Sequence, residues 1–491
     1  MKKILIASVL FVAGFCFGVE QAKPNVLFIA VDDLVPTLGC YGDERVISPN
    51  IDKLAGQGTT FLRAQCQWPV CGPSRASIMS GLRPETTGVM NLKTKWRISN
   101  PGIVSLPEHL KQHGYFTTGT GKIYDRRCVD SEKIMDKESW SEPYTTSPGG
   151  YPKGDADNRA RDECPEGWNK LASIAYDTEM KNFQDYRIAQ HGLKLMRERA
   201  AAEQPFFLAV GFKKPHLAFV SPKKYWDMYA HDSIEVHAFQ EHAADSSGFG
   251  PPDMNEIRSY YPFPKEGHDL PVEVQKQLIH GYLSCVTFID DLIGSLLNEL
   301  EALGLKENTI VVLWGDHGFH LGDHGYWGKH STFEQAARVP LIIVDPRMKK
   351  SGQTTVSPAE FTDVFPTLCE LTGVPVLDQL QGVSLVPVMN DPEVKVRKGA
   401  TTLYKSTGKK GALGYSYRTE RYRYIEWINR YSKKVVGRDL YDYEKDPFET
   451  QSLAKNPKYT TIMQELAEGL YADAEGWKLL ETSLNARSQR L

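Results

Sequence analysis

The sequence predicts an α/β layer fold built on a large, mainly parallel sheet and followed by a smaller α+β unit. Three observations carry this expectation. Short runs rich in β-branched and aromatic residues, Val26 to Val31, Phe206 to Val210, Thr309 to Trp314 and Leu341 to Val344, read as strands buried on both faces. Long stretches of helical periodicity separate them, which is how parallel strands are joined. After about residue 395 the texture changes to short strand-like pieces, Thr401 to Tyr404, Tyr415 to Arg418 and Arg421 to Trp427.

Taken in order, the chain opens on Met1, Lys2 and Lys3, the apolar run Ile4 to Phe17, then Gly18 and a polar stretch to Pro24. This is the layout of a secretory signal peptide over residues 1–22, too short for a membrane anchor. Phe15 stands before Cys16 where lipid attachment calls for a small residue. No later run reaches the length of a membrane span, so the expected product is exported, periplasmic or secreted, without a stable membrane anchor. Residues 23–395 are expected to form the larger domain and 396–491 the smaller. With 491 residues, 41% hydrophobic and 24% charged, the chain is long and apolar enough to bury a core, which excludes disordered and fibrous classes. Its 58 basic and 61 acidic side chains leave a net charge of -3, so no global field recruits nucleic acid or an anionic membrane.

The clearest helix runs from Val272 to Leu303, where Leu278, Tyr282, Cys285, Leu292 and Leu296 recur at steps of three and four before Gly304 ends it. Two segments, Arg126 to Trp168 and His231 to His268, have little periodicity and are expected to be long ordered loops, of a length that either lines a ligand site or serves as a structural cover. Of the eight cysteines, Cys16 falls in the signal; the other seven are odd in number and irregularly spaced, which indicates neither a zinc site nor a disulfide framework. Cys128 and Cys164 bracket the first loop and are a candidate pair. A turn at Asp446-Pro447 and a helix bearing Ile462, Leu466 and Leu470 on one face close the chain.

The chemistry-bearing residues fall at strand ends. Asp32 and Asp33 follow the strand Val26 to Val31, and Asp316 and His317 follow Thr309 to Trp314, where open α/β sheets place their ligands. An acidic residue after a strand is often only a helix cap. Two such pairs together suit a hard divalent cation, calcium or magnesium. A third element is Cys71-Gly72-Pro73-Ser74-Arg75, with Pro73 read as the first position of a helix that continues through Ala76 to Leu82. Free N–H groups at a helix start favour an anion, and Arg75 adds a charge-assisted donor suited to a tetrahedral oxyanion.

The run C-x-P-S-R, continued by Ser80-Gly81-Leu82-Arg83-Pro84, resembles the signature of type I sulfatases. Gly121-Lys122, Lys214-Pro215-His216, Trp327-Gly328-Lys329 and Arg338-Val339-Pro340-Leu341 resemble that family's other site segments, in order along nearly the whole chain. The pairing of Asp316 with His317, together with Gly414-Tyr415-Ser416 and Arg418-Thr419, is most similar to the iduronate-2-sulfatase branch. The resemblance implies an alkaline-phosphatase-like sandwich and hydrolysis of a sulfate ester on a sulfated oligo- or polysaccharide. It implies that a formylglycine-generating enzyme converts Cys71 to formylglycine, whose hydrate attacks sulfur. It implies one divalent cation, calcium ahead of magnesium, held by Asp32, Asp33, residue 71, Asp316 and His317. Arg75, Lys122 and Lys329 would offset the sulfate charge, and His216 would donate a proton to the leaving oxygen.

One position departs from the branch, which has a histidine three residues after its first site lysine where this chain has Asp125. An aspartate facing sulfate repels it unless protonated or paired with Lys122, Arg126 or Arg127. Two other functions stay in view: a phosphate or phosphonate ester hydrolase of the same superfamily, and a glycan-binding protein with a decayed site.

Overall fold

The computed structural model describes residues 23–129, 135–267, 270–407 and 411–473. The expected export signal, residues 1–22, lies outside them. Seven strands form the central sheet: β1 (Asn25–Val31), β2 (Thr59–Phe61), β3 (Phe116–Gly121), β4 (Phe206–Phe212), β5 (Thr309–Gly315), β6 (Leu341–Val344) and β7 (Gln353–Thr355). Their order across the sheet is β7-β2-β6-β5-β1-β4-β3, and of the seven β6 alone runs against the others.

Alternation along the strands feeds two cores. Leu27, Ile29, Val31, Leu208, Val210 and Leu313 point to one face. Val26, Phe28, Ala30, Phe207, Val312 and Trp314 point to the other. Four helices supply most of the covering: α1 (Cys71–Ser80), α2 (Gln184–Ala200), α3 (Val272–Ala302) and α4 (Val364–Thr372). α2 and α3 cover the first face, with Leu278, Tyr282, Cys285, Leu292 and Leu296 all buried on α3 as their spacing requires. α1 and α4 cover the second, through Ala76, Ile78, Met79, Phe365 and Leu368.

Two expectations need correction. The helix after Val70 begins at Cys71, not Pro73, and stops at Ser80, with Gly81 in the left-handed region (φ 66°). Ser74 N–H closes its first turn on the Val70 carbonyl at 3.1 Å, so Pro73 sits in the first turn, where its missing N–H costs nothing. Cys128 and Cys164 do not pair; both are free thiols. Cys128 is buried against α1 so closely that a Cβ on Gly72 would lie 2.4 Å from its Sγ, and it hydrogen-bonds the Asn91 carbonyl at 3.4 Å.

The long segments are largely irregular, as expected. The first holds a helix, Ala156–Asp162, and the second two single 3-10 turns and the short strand Tyr260–Tyr261. Beyond the central sheet, β8 (Gly399–Lys405), β9 (Ala412–Thr419), β10 (Tyr422–Asn429) and β11 (Val435–Asp442) form an antiparallel meander. β11 was not among the expected strands: it begins Val-Val-Gly-Arg-Asp, where a glycine and two charges hide the alternation. Helix α5 (Thr460–Asp473) lays Leu466 and Leu470, with Ile462 beside them, on Leu403, Tyr415 and Tyr417.

Candidate active site

Four parallel strands deliver side chains from their carboxyl ends to one place. Val31 and Gly315 are register partners, so Asp32 and Asp316 leave the sheet side by side. Gly121 pairs with Gly211, and Lys122 N–H closes on the Gly211 carbonyl at 2.8 Å. Gly121 adopts φ 80°, and a Cβ there would stand 2.0 Å from the Gly211 oxygen, so only glycine permits the approach. His216 follows β4, and Cys71 enters from the first residue of α1.

The carboxylates are tied to cations and to one another. Arg75 donates from Nε to Asp316 Oδ2 at 2.8 Å and from Nη2 to Asp32 Oδ1 at 3.0 Å. Its Nη1 is taken by the Ile123 carbonyl at 3.1 Å and by the Lys122 carbonyl. Arg75 is fully buried, and its donors bind the aspartates and backbone instead of reaching outward as the sequence suggested. Lys122 pairs with Asp32, and Lys329 Nζ donates to both oxygens of Asp33 at 3.0 and 3.1 Å. Asp33 holds φ 57°, and its amide donates to Asp316 Oδ1 at 3.0 Å while its carbonyl accepts from the Tyr282 hydroxyl at 2.8 Å. Those bonds hold a conformation uncommon outside glycine.

His317 is set for coordination. Its Nδ1 faces the Gly318 carbonyl at 3.0 Å, an acceptor that places the proton on Nδ1. The Nε2 lone pair is left pointing at Cys71 Sγ, 3.3 Å away, with Asp33 Oδ1 also at 3.3 Å. One potential ligand atom from each of Asp32, Cys71, Asp316 and His317 lies within 4.8 Å of the others, and Asp32, Asp33, Cys71 and His216 form an overlapping set with the same closeness. Three carboxylates and a neutral imidazole are a donor set that fits a hard divalent cation.

Burial opposes the charge on Asp32, but Lys122 and Arg75 outweigh it and hold its carboxyl well below the usual range. At Asp33 burial prevails over Lys329 and His317, and its pKa rises to about 6. Burial and then Asp32 push the Cys71 thiol well up, so the unmodified side chain is a neutral thiol and a poor nucleophile. Burial and Lys329 bring His216 down to about 4. Lys329 rises well above its ordinary value because Asp33 and the neighbouring anions overcome its burial.

Cys71, Asp32, Lys122, His216 and Lys329 form the floor of a cavity of about 910 Å³. Both long segments line it, the first through Arg126, Tyr151 and Arg161 and the second through Glu256, and Asp125, just before the first, lines it too. Asp125 is turned away from an unpaired role: Arg127 grips it through Nε at 2.9 Å and Nη2 at 2.7 Å. Glu256 was missed in the sequence. It bridges His216 Nε2 and Lys329 Nζ, each at 3.3 Å, from an aperiodic segment where only the length hinted at function.

Lys329 is further held by a buried relay two residues on. Ser331 Oγ lies 2.7 Å from His320 Nε2, and His320 Nδ1 meets the Asp323 carboxylate. Asp323 accepts only, which puts the proton on Nδ1 and makes Ser331 the donor to Nε2. The three side chains have triad order but are buried away from the cavity, so they position the Lys329 segment and do not attack substrate.

The sequence matches the sulfatase family over residues 24–374 and the N-sulphoglucosamine sulphohydrolase C-terminal family over residues 322–475. It is 31% identical to a sulfatase of Formosa agariphila over 465 residues, 91% of this chain and 86% of that protein. It is 27% identical to the iduronate 2-sulfatase of Mus musculus over 547 residues, 93% of this chain and 97% of that protein. A phosphonate monoester hydrolase of Agrobacterium radiobacter superposes with a TM-score of 0.74 at 23% identity, covering 92% of this chain and 95% of that one. That likeness speaks for the fold, the expected alkaline-phosphatase-like sandwich with an added C-terminal domain. With the cysteine at the first residue of α1 facing two aspartate-bearing strand ends, and with these relatives spanning nearly the full length, the chain belongs to the sulfatase family.

Proposed function

We propose that this sulfatase is exported and hydrolyses sulfate esters on a sulfated carbohydrate of the iduronate 2-sulfate kind, through formylglycine at position 71 and one divalent cation. The observation that carries the reading is the convergence of Asp32, Cys71, Asp316 and His317 within 4.8 Å of one another, at a cavity that Asp32 and Cys71 line together with Lys122 and Lys329. In this reading residues 1–22 are the export signal, 23–395 the catalytic domain and 396–491 the C-terminal domain. Among the described residues no helix is long and apolar enough to cross a membrane.

Asp32, Asp33, Asp316 and His317, with residue 71, would hold the cation, calcium ahead of magnesium. Bound there, it would polarise a sulfate oxygen and lower the pKa of a hydroxyl on residue 71. As formylglycine hydrate, residue 71 would offer one hydroxyl to attack sulfur and a second whose deprotonation expels sulfate. Arg75 fixes the spacing of Asp32 and Asp316. Lys122 and Lys329 present ammonium groups to the sulfate oxygens. His216, held by Leu217 and Glu256, is the proton donor to the leaving sugar oxygen; an arriving sulfate anion raises its proton affinity.

Charge balance favours a monoanionic ester. Asp32, Asp33, Asp316 and Glu256 outnumber Arg75, Lys122 and Lys329 by one. Before His216 takes up its proton, a divalent cation reverses that deficit to one positive charge, which a sulfate monoester cancels and a phosphate monoester dianion overshoots. A phosphonate monoester has the same single charge and is the second reading.

The test is co-expression with a formylglycine-generating enzyme, confirmation of conversion by peptide mass, and sulfate release from a panel of sulfated saccharides. Release that vanishes in Cys71→Ala is the expected result. Full conversion with no sulfate release, and turnover of a matched phosphonate monoester instead, would replace this reading with the second.

A further inference from the structure

Every acidic side chain lining the cavity is matched by a cation. Asp32 meets Arg75 and Lys122, Asp125 meets Arg127, and Glu256 meets Lys329. Asp157 meets Lys214 at 3.1 Å and Lys170 at 3.4 Å. Lys213, one residue earlier, lines the same cavity, half-buried, and among the described residues no carboxylate lies within ion-pairing distance of its ammonium. Its backbone is fixed, the amide donating to Asp185 Oδ1 at 2.6 Å, so the side chain starts from a rigid strand end.

A half-desolvated ammonium without a counter-charge is costly, and burial accordingly lowers the pKa of Lys213. The groups around it suit an incoming anion. Tyr151, Arg126, Ser147 and Gln184 line the same part of the cavity, and Gln184 Nε2 orders Ser147 Oγ at 2.6 Å. The scissile sulfate has its own cations at Cys71, so this patch is left for another group on the same ligand.

We propose that Lys213, with Tyr151, forms a second anion subsite that takes a carboxylate or a second sulfate on the sugar bearing the scissile sulfate or on its neighbour. This rests on the sulfatase reading and assigns residues to the second anionic group that a substrate of the iduronate 2-sulfate kind carries. A charge-assisted bond of this kind corresponds to roughly ten- to hundred-fold in affinity.

The experiment uses the full chain carrying Cys71→Ala, which binds without turnover. Calorimetry compares three matched disaccharides: one sulfate plus a uronate carboxylate, the same compound with the carboxyl reduced to an alcohol, and a disulfated compound without carboxylate. The expected result is about ten-fold or greater preference for one or both doubly anionic ligands, and which of the two identifies the group taken. Adding Lys213→Gln should shrink the preference to under about three-fold, and Lys213→Arg should keep most of it, separating charge from folding. Equal affinity for all three, no measurable binding, or a preference that survives Lys213→Gln overturns the proposal. The sulfatase reading fails on a different result, absence of sulfate release by the converted Cys71 protein.

Discussion

Two buried clusters of charge sit in this molecule, one at Cys71 and one where the C-terminal meander meets the larger domain. At the seam Arg423 is fully buried, pairs with Glu334 and with Glu449 at 3.0 Å, and donates to Ser416 Oγ at 2.7 Å and the Thr332 carbonyl at 2.9 Å. Nearby, Glu360 joins Arg83 at 2.9 Å and Arg397 at 3.1 Å. These charges are met by one another and by backbone, and none of these residues lines the active-site cavity. At Cys71 the density is similar, but the His317 Nε2 lone pair, the thiol and two ammonium groups converge on a point the cavity reaches. Density of charge marks burial; unspent valence directed at one point marks chemistry.

If that distinction is right, the clusters fail differently. Cys71→Ala should lower sulfate release by about 10⁴-fold or more while leaving the thermal midpoint nearly unchanged, because a single small side chain with unspent valence is lost. Asp316→Asn should cost about 100-fold or more in turnover and weaken calcium binding in a calorimetric titration, since Asp316 also anchors Arg75 and the Asp33 amide. Activity that withstands exhaustive chelation would remove the cation from the reading.

The seam should show the opposite pattern. Arg423→Ala leaves Glu334 and Glu449 buried with too little counter-charge and should destabilise by about 3–5 kcal/mol in urea unfolding. At a temperature where the variant is folded, its kcat/KM should stay within about two-fold of the parent. Between these extremes lies Ser331→Ala, which frees the Lys329 segment from His320. Its kcat should fall about ten-fold with KM little changed, and Ser331→Thr, which keeps the hydroxyl, should restore most of it. A loss confined to the thermal midpoint would make the relay structural only.

What the sequence made legible follows from the same contrast. Asp32, Asp33, Asp316 and His317 were readable because each pair follows a strand whose apolar run is continuous, and the sheet register then brings them together. Lys122, His216 and Lys329 needed the family resemblance, since a single lysine or histidine gives no periodic signal. Glu256 and Lys213 were beyond reach: one lies in an aperiodic segment, and the importance of the other is that it lacks a carboxylate partner, which only coordinates reveal. Arg75 was found, but its direction was not, because donor geometry depends on where Asp316 returns to the site, 241 residues later. The helix start moved from Pro73 to Cys71 because proline is allowed anywhere in a first turn, so it marks a turn and not a residue.

Asp125 gives the smallest effect and the finest test, since it stands beside the site yet belongs chemically with the seam. Its valence is spent: burial works against its charge, but the Arg127 hydrogen bonds, with Lys122 behind them, bring its pKa down to about 2. A carboxyl depressed in the folded state adds stability above its unfolded pKa of about 4, and loses that stability as pH falls toward the folded value. The shift corresponds to about 2 kcal/mol at neutral pH. Asp125→Asn should therefore be less stable than the parent at pH 7 by up to that amount, and the gap in urea unfolding should close as pH falls from about 4 toward 2. Its turnover should change less than about five-fold, because Arg127 already cancels the charge that would repel sulfate. A large rise in sulfate release on removing the carboxylate would show that the charge reaches the substrate after all, and would move Asp125 from the spent group to the unspent one.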